Sequence, residues 1–151
     1  MLARLEHANL GVHDLDGVVR FLLAAFPEFR IRHDTTEADG SRWLHVGSDE
    51  TYIALNQASP GAEKIGKPYK GRAGLNHLAF EVDDVAGVRD RLSAAGYQDS
   101  TLANVHPYRQ RVYFYDPDGN DWEFVQYLSE EREKRHDYEL PDRLASKRSK
   151  W

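Results

Sequence analysis

The sequence contains no cysteine among its 151 residues, which excludes disulfides, thiolate zinc sites and a catalytic thiol. Any metal must therefore be held by His, Asp or Glu. There is also no apolar run near the roughly 20 residues that a membrane-spanning helix needs. The start, MLARLEHANLGV, lacks a basic stretch followed by a long apolar one. A soluble, cytoplasmic protein without a membrane partner is expected. Positive charge is not in excess either, since 20 Lys and Arg are scattered among 25 Asp and Glu for a net charge of −5. That balance gives no footprint for nucleic acid and favours a small-molecule partner. A mass of 17.3 kDa fits one compact domain or two very small ones.

What is present is an internal repeat. At an offset of 70 residues, LEHANLGVHDLDGV (5–18) falls over LNHLAFEVDDVAGV (75–88). Leu5 matches Leu75, His7 matches His77, Val12 matches Val82, Asp14 matches Asp84, Gly17 matches Gly87 and Val18 matches Val88. A second alignment, one residue shorter, sets WLHVGSDETYIAL (43–55) over VYFYDPDGNDWEF (112–124), with Ala54 opposite Glu123. The chain thus reads as module one (4–57), a turn-rich linker (58–74), module two (75–128) and a charged C-terminal helix and tail (129–151) within a single domain of 1–151.

Each module has the same expected order. Residues 4–12 and 74–82 alternate as strands, with Ala8, Leu10 and Val12, then Leu78, Phe80 and Val82, on one face. The other face carries His7 and Asn9, then His77 and Glu81. Asp14 and Asp84 stand where helix N-caps belong. The spacing of Leu15, Val18, Leu22 and Phe26, and of Val85, Val88, Leu92 and Ala95, predicts one buried stripe per helix, ended by Pro27 and Gly96. Three short strands follow in each half, the last two of module two joined by the turn Asp116-Pro117-Asp118-Gly119. The topology expected is βαβββ, twice. One helix on one sheet face leaves the opposite, histidine-bearing face to a cavity or a partner. The tail from Ser129 is expected to be a solvated appendage, mobile after Pro141.

LEHANLGVHDL, LNHLAFEVDD and VYFYDPDGNDWEFV together resemble the vicinal oxygen chelate superfamily, over residues 4–128. That superfamily includes glyoxalase I, extradiol dioxygenases, fosfomycin-resistance thiol transferases and metal-free bleomycin-binding proteins. The resemblance implies an α+β fold of two βαβββ modules (glyoxalase/bleomycin resistance/dioxygenase-like) forming a half-barrel cavity. It assigns metal-ligand roles to His7, His77 and Glu123, with Ala54 at the fourth ligand position. Two imidazoles and a carboxylate suit one divalent ion per site, whether Fe, Mn, Ni, Co or Zn, and leave positions open for a substrate with paired oxygens. His13, His33, His45, His106 and His136 have no repeat partner and read as surface or packing residues.

Ala54 decides between subfamilies. Glyoxalase I uses a carboxylate or equivalent there to bind metal and to move the substrate proton, and Ala54 does neither. Either Glu123 serves as both ligand and base or another carboxylate helps, with Glu50 and Glu81 the nearest candidates, while Asn56 and Asn9 are expected to face the substrate. Extradiol dioxygenases keep the surviving ligands and a tyrosine ten residues before the ligand Glu, which matches Tyr113. Their acid–base histidine, however, is Glu50 here, and a second pocket histidine aligns near Asn104. Fosfomycin transferases share the ligands and Tyr113, but a threonine near their substrate is Asn9 here and their potassium loop is unrecognisable, so that activity is not expected.

In the loop 104–111, Arg109 and Arg111 either pair with a substrate carboxylate or phosphate or lie solvated. Trp43, Trp122 and Phe124 are expected to pack, the last two on the helix-covered face. The first functional expectation is a metal-dependent glyoxalase-type lyase or isomerase, with catalytic roles for Glu123 and Tyr113. An extradiol-type dioxygenase is the enzymatic alternative, and a metal-free small-molecule binding or resistance protein is the alternative of another class. A homodimer is expected, because each module leaves a ligand-bearing face to be covered.

Overall fold

The computed structural model describes residues 3–63, 69 and 73–142. Part of the linker and the end of the tail, where a mobile basic segment is expected from sequence, lie outside the described residues. Two compact units, 1–65 and 66–151, make up the chain.

In module one the order is β1 (His7–Val12), α1 (Leu15–Ala25), β2 (Arg30–Thr36), β3 (Arg42–Gly47) and β4 (Tyr52–Gln57). Module two repeats it as β5 (His77–Glu81), α2 (Val85–Ala94), β6 (Gln98–Asp99), β7 (Arg109–Tyr115) and β8 (Asp121–Tyr127). A four-residue helix, α3 (Arg132–Arg135), follows. Each unit folds into a four-stranded mixed sheet, ordered β1-β4-β3-β2 and β5-β8-β7-β6. In both, the first strand runs parallel to the last and the remaining pairs are antiparallel. The βαβββ order read from the repeat is the fold observed, though β6 is reduced to two residues.

The same cap starts both long helices. The Asp14 carboxylate accepts the Gly17 amide at 2.8 Å, and Asp84 accepts that of Gly87 at 2.9 Å. A Cβ on Gly17 or on Gly87 would stand 2.2 Å from the capping carboxylate oxygen, so cap and glycine recur together. The α1 stripe is buried, with Leu15, Val18, Leu22 and Phe26 packed over Leu44, Val46, Ile53 and Leu55. Under α2, Val85, Val88 and Leu92 cover Val112, Phe114, Trp122 and Phe124. Ala95, expected on that stripe, is exposed, because α2 ends at Ala94 and Gly96 turns the chain at φ 82°.

A buried carboxylate fastens the β7–β8 hairpin. Asp116 Oδ1 accepts the amides of Asp118 and Asn120 at 2.9 and 3.0 Å. Its Oδ2 accepts Asn120 Nδ2 and the indole N–H of Trp122 at 2.9 and 3.0 Å. This fixes the register in which Tyr113 stands opposite Glu123. No described helix is long and apolar enough to cross a membrane.

Candidate functional site

On the face of the second sheet away from α2, strand parity aligns His77 of β5, Asp121 and Glu123 of β8, and Arg109, Arg111 and Tyr113 of β7. His77 Nε2 lies 2.9 Å from Glu123 Oε2. The other ring nitrogen, Nδ1, lies 2.6 Å from the Tyr69 hydroxyl, which donates to Asp121 Oδ2 at 3.1 Å. A hydroxyl has one proton, so with that proton on Asp121 its oxygen accepts Nδ1–H from His77. A neutral His77 then keeps its lone pair on Nε2, toward Glu123.

Tyr69 takes this position at φ 61°, a left-handed conformation that costs a non-glycine residue about 1–2 kcal/mol. Ser100 Oγ donates to the other Asp121 oxygen at 2.8 Å. The hydrogen bond to Glu123 raises the His77 pKa, against an opposing effect of burial. Burial pushes the Glu123 carboxyl up, but hydrogen bonds from His77 and Tyr113 and the nearby charges of His77 and Arg111 hold it below its ordinary value. Burial lifts Asp121, the more so beside the Glu123 charge, with Ser100 and Tyr69 opposing.

This donor pair fits a divalent ion. Two ligand atoms about 2.1 Å from one ion and at right angles to each other are roughly 3 Å apart, the spacing of Nε2 and Oε2 here. The outer partner on Nδ1 is the arrangement that orients metal-bound histidines. Among the described residues no group of three His, Asp or Glu donors is assembled to hold an ion.

Module one presents His7 on the corresponding strand. Its Nδ1 is bonded to Glu6 Oε2 at 2.6 Å, and its ring stacks on Tyr52 at 4.8 Å. Ala54 and Glu123 are equivalent, since Ala54 pairs with Asn9 and Glu123 with Ala79, each two residues after the strand histidine. Ala54 is buried. Asn56 Nδ2 donates to Asn9 Oδ1, so the two amides face each other rather than standing free. Glu50 is exposed in the β3–β4 turn, and Glu81 is tied to Arg135 at 2.6 Å.

The expected solvated appendage is instead pinned to the second sheet by ion pairs. Arg109 is 7% exposed, with Nη2 3.4 Å from Asp142 and Nη1 bonded to the Arg135 carbonyl at 3.2 Å. Arg111 Nη2 is 2.7 Å from Asp142, and its Nε is 3.9 Å from Glu123 Oε1. Neither arginine is a solvated loop residue, because β7 carries both inward. Arg111, with Asn104 and Gln110, also lines a cavity of about 530 Å³ between α2 and β7.

Sequence reasoning missed three features. Asp121 shares the face of Glu123 by strand parity and was available from that signal. The second is the pair Tyr69 and Asp142, which lie in segments without periodicity. The third is a row of rings on the open face of module one: His33 to Trp43 at 4.7 Å, Trp43 to His45 at 5.1 Å, His45 to Tyr52 at 4.5 Å, then His7. Trp43 packs as expected, but within this row.

The sequence model of the Glyoxalase/Bleomycin resistance protein/Dioxygenase superfamily matches residues 4–124. No curated protein matches significantly. Among solved structures, the chain is similar to the fosfomycin resistance protein FosX of Listeria monocytogenes at 22% identity and TM-score 0.68, over 89% of this chain and 99% of that one. A variant of that FosX, complexed with Mn(II) and 1S,2S-dihydroxypropylphosphonic acid, matches at 21% identity and TM-score 0.63, over 91% and 100%. A glyoxylase/bleomycin resistance protein/dioxygenase domain from Frankia sp. matches at 23% identity and TM-score 0.67, over 84% and 99%. At these identities the structural likenesses bear on the fold. With two βαβββ units and a family match across most of its length, the chain belongs to the Glyoxalase/Bleomycin resistance protein/Dioxygenase superfamily.

Proposed function

We propose that this protein is a divalent-metal enzyme of glyoxalase-type lyase or isomerase character, acting on a small substrate that chelates through adjacent oxygens. His77 and Glu123 hold the ion, with His7 as third ligand from the same chain or from a second copy. The observation that carries this reading is the pair His77 Nε2 and Glu123 Oε2 at 2.9 Å, with Nδ1 engaged by Tyr69. The Mn(II) and vicinal diol in the FosX complex support the same class of ligand. When bound, the ion supplies Lewis acidity to the substrate oxygens.

The chain's own groups do the rest. Tyr69 and Asp121 orient His77, and Tyr113 steadies Glu123 by a hydrogen bond. The Glu123 oxygen not facing His77 is the proton carrier. Its lowered pKa makes it a weak base, so a substrate with an acidic C–H or O–H suits this site. Titration of chelator-treated protein with Mn(II), followed by the electron paramagnetic resonance of the free ion, tests the ligands. One ion per chain should be taken up by the wild type, and His77→Ala should take up none.

A homodimer is part of this reading, supported by the repeat partners Leu5 and Leu75, which are 76% and 55% exposed. Light scattering coupled to size exclusion should give twice the chain mass. A 17.3 kDa species would remove that part. The ring row in module one favours one second reading, a metal-free protein that stacks a planar ligand. Absence of metal uptake with retained ring-ligand binding would select it.

A further inference from the structure

Arg109 and Arg111 share one anion. Asp142 Oδ2 is 3.4 Å from Arg109 Nη2, and Asp142 Oδ1 is 2.7 Å from Arg111 Nη2. The two arginine side chains are only 7% and 16% exposed. The Nε–H of each is buried with no hydrogen-bond acceptor among the described residues. A guanidinium recognises an oxyanion through two parallel N–H groups, whereas Asp142 meets each of these guanidiniums with only one of its two oxygens. A tetrahedral oxyanion brings three or four.

The strap that delivers Asp142 is held by charge. From Gln126 to Asp142 no residue is buried, and Tyr138 is 79% exposed. Its other ties include Arg109 to the Arg135 carbonyl at 3.2 Å and over the Tyr138 ring at 5.4 Å, Lys134 over the Tyr108 ring at 5.6 Å, Arg135 to Glu81 at 2.6 Å, Arg135 over the Tyr127 ring at 4.2 Å, and the Val105 amide to the Asp142 carbonyl at 3.3 Å. Its release exposes little apolar surface, so little hydrophobic stabilisation opposes it. The release does leave two mostly buried guanidiniums to be neutralised by something else.

The geometry points to Arg109 and Arg111 as a subsite for a tetrahedral oxyanion of the substrate, a phosphate, phosphonate or sulfate group, which Asp142 fills as an intramolecular competitor. Arg111 Nε is 3.9 Å from Glu123 Oε1, so an anion held here has its other end beside the proposed metal ligand. The address beside the metal rests on the proposed function; the anion subsite itself does not. Anionic substrate then binds only to molecules whose strap is open, and its apparent affinity is reduced by that open fraction.

The test uses the full chain after chelator treatment, titrated with inorganic phosphate while the Nε–H resonances of Arg109 and Arg111 are followed by NMR. Asp142→Asn should bind phosphate about tenfold more tightly than the wild type, as expected for a strap closed about nine-tenths of the time. Adding Arg111→Gln to Asp142→Asn should abolish the gain. Arg135→Ala, which loosens the strap and leaves Asp142 in place, should tighten phosphate in the same direction and covers the case of a poorly folded Asp142→Asn chain. Unchanged phosphate affinity in Arg135→Ala and in folded Asp142→Asn would overturn the proposal. So would tighter binding of acetate than of phosphate. Because the metal is removed beforehand, failure here leaves the metal reading standing, and failure of metal uptake leaves this result intact.

Discussion

Replacing Asp116 by alanine should destabilise module two far more than a turn substitution ordinarily does. The carboxylate is 4% exposed and accepts four hydrogen bonds. Three come from the turn, the amides of Asp118 and Asn120 and the Asn120 side chain, which water can partly replace, at roughly 0.5 kcal/mol each. The one that water cannot replace comes from the indole N–H of Trp122, a fully buried side chain. Removing the acceptor of a buried donor costs about 1–3 kcal/mol, for a total of roughly 2.5–4.5 kcal/mol.

Asp116→Asn should recover little of this. Each carboxylate oxygen faces two donors, so either orientation of the amide turns its NH₂ group against two N–H groups. Urea unfolding followed by near-ultraviolet circular dichroism measures the loss. A double-mutant cycle with Trp122→Phe should give a coupling of about 1 kcal/mol or more. A loss under about 0.5 kcal/mol for Asp116→Ala, the range of an ordinary surface change, would show that the Trp122 indole N–H does not depend on this carboxylate.

Three further outcomes follow from the site. Because Ala54 removes a proton carrier, typically worth a hundredfold to ten-thousandfold, turnover of the glutathione hemithioacetal of methylglyoxal should be poor, and Ala54→Glu should raise it if the chain still folds around a buried carboxylate. Efficient turnover by the wild type would contradict this. Tyr69→Phe keeps the ring but removes the acceptor for Nδ1–H, and metal affinity measured by competition with a chelating dye should fall about 10–100-fold; no change would show that Tyr69 does not orient His77. In metal-free protein, the hydrogen bond to Glu123 raises the His77 pKa above its ordinary 6.5. The pair therefore contributes stability that is complete below 6.5 and is lost as pH rises through the folded value. Glu123→Gln should lower the His77 titration midpoint seen by NMR, and an unmoved midpoint would rule out that origin of the shift.

The repeat made much of this fold legible. A capping Asp needs room, so Asp14 with Gly17 and Asp84 with Gly87 mark both helix starts. Strand parity then sets His77 and Glu123 on one face, and the parallel pairing of first and last strands makes Ala54 the counterpart of Glu123. Tyr69 was not legible, because the linker has no periodicity and its contact with His77 depends on a left-handed backbone turn. Asp142 was hidden for a related reason. A charged tail reads as solvated unless buried opposite charges await it, and the burial of Arg109 and Arg111 is a tertiary fact. Ala95 was misplaced because periodicity does not say where a helix stops, and α2 stops one residue earlier.

The proposed function stands on a divalent ion held by His77 and Glu123, with His7 of the same chain or of a second copy as the proposed third ligand. Elemental analysis of protein purified anaerobically without chelator tests it most directly. The wild type should carry about one equivalent of Fe, Mn, Ni, Co or Zn per chain, and both His77→Ala and His7→Ala should lose it, since each ligand of such a site contributes strongly to affinity. Equal metal content in the wild type and His77→Ala, or none in a folded wild type supplied with these ions, would rule out this ligand set.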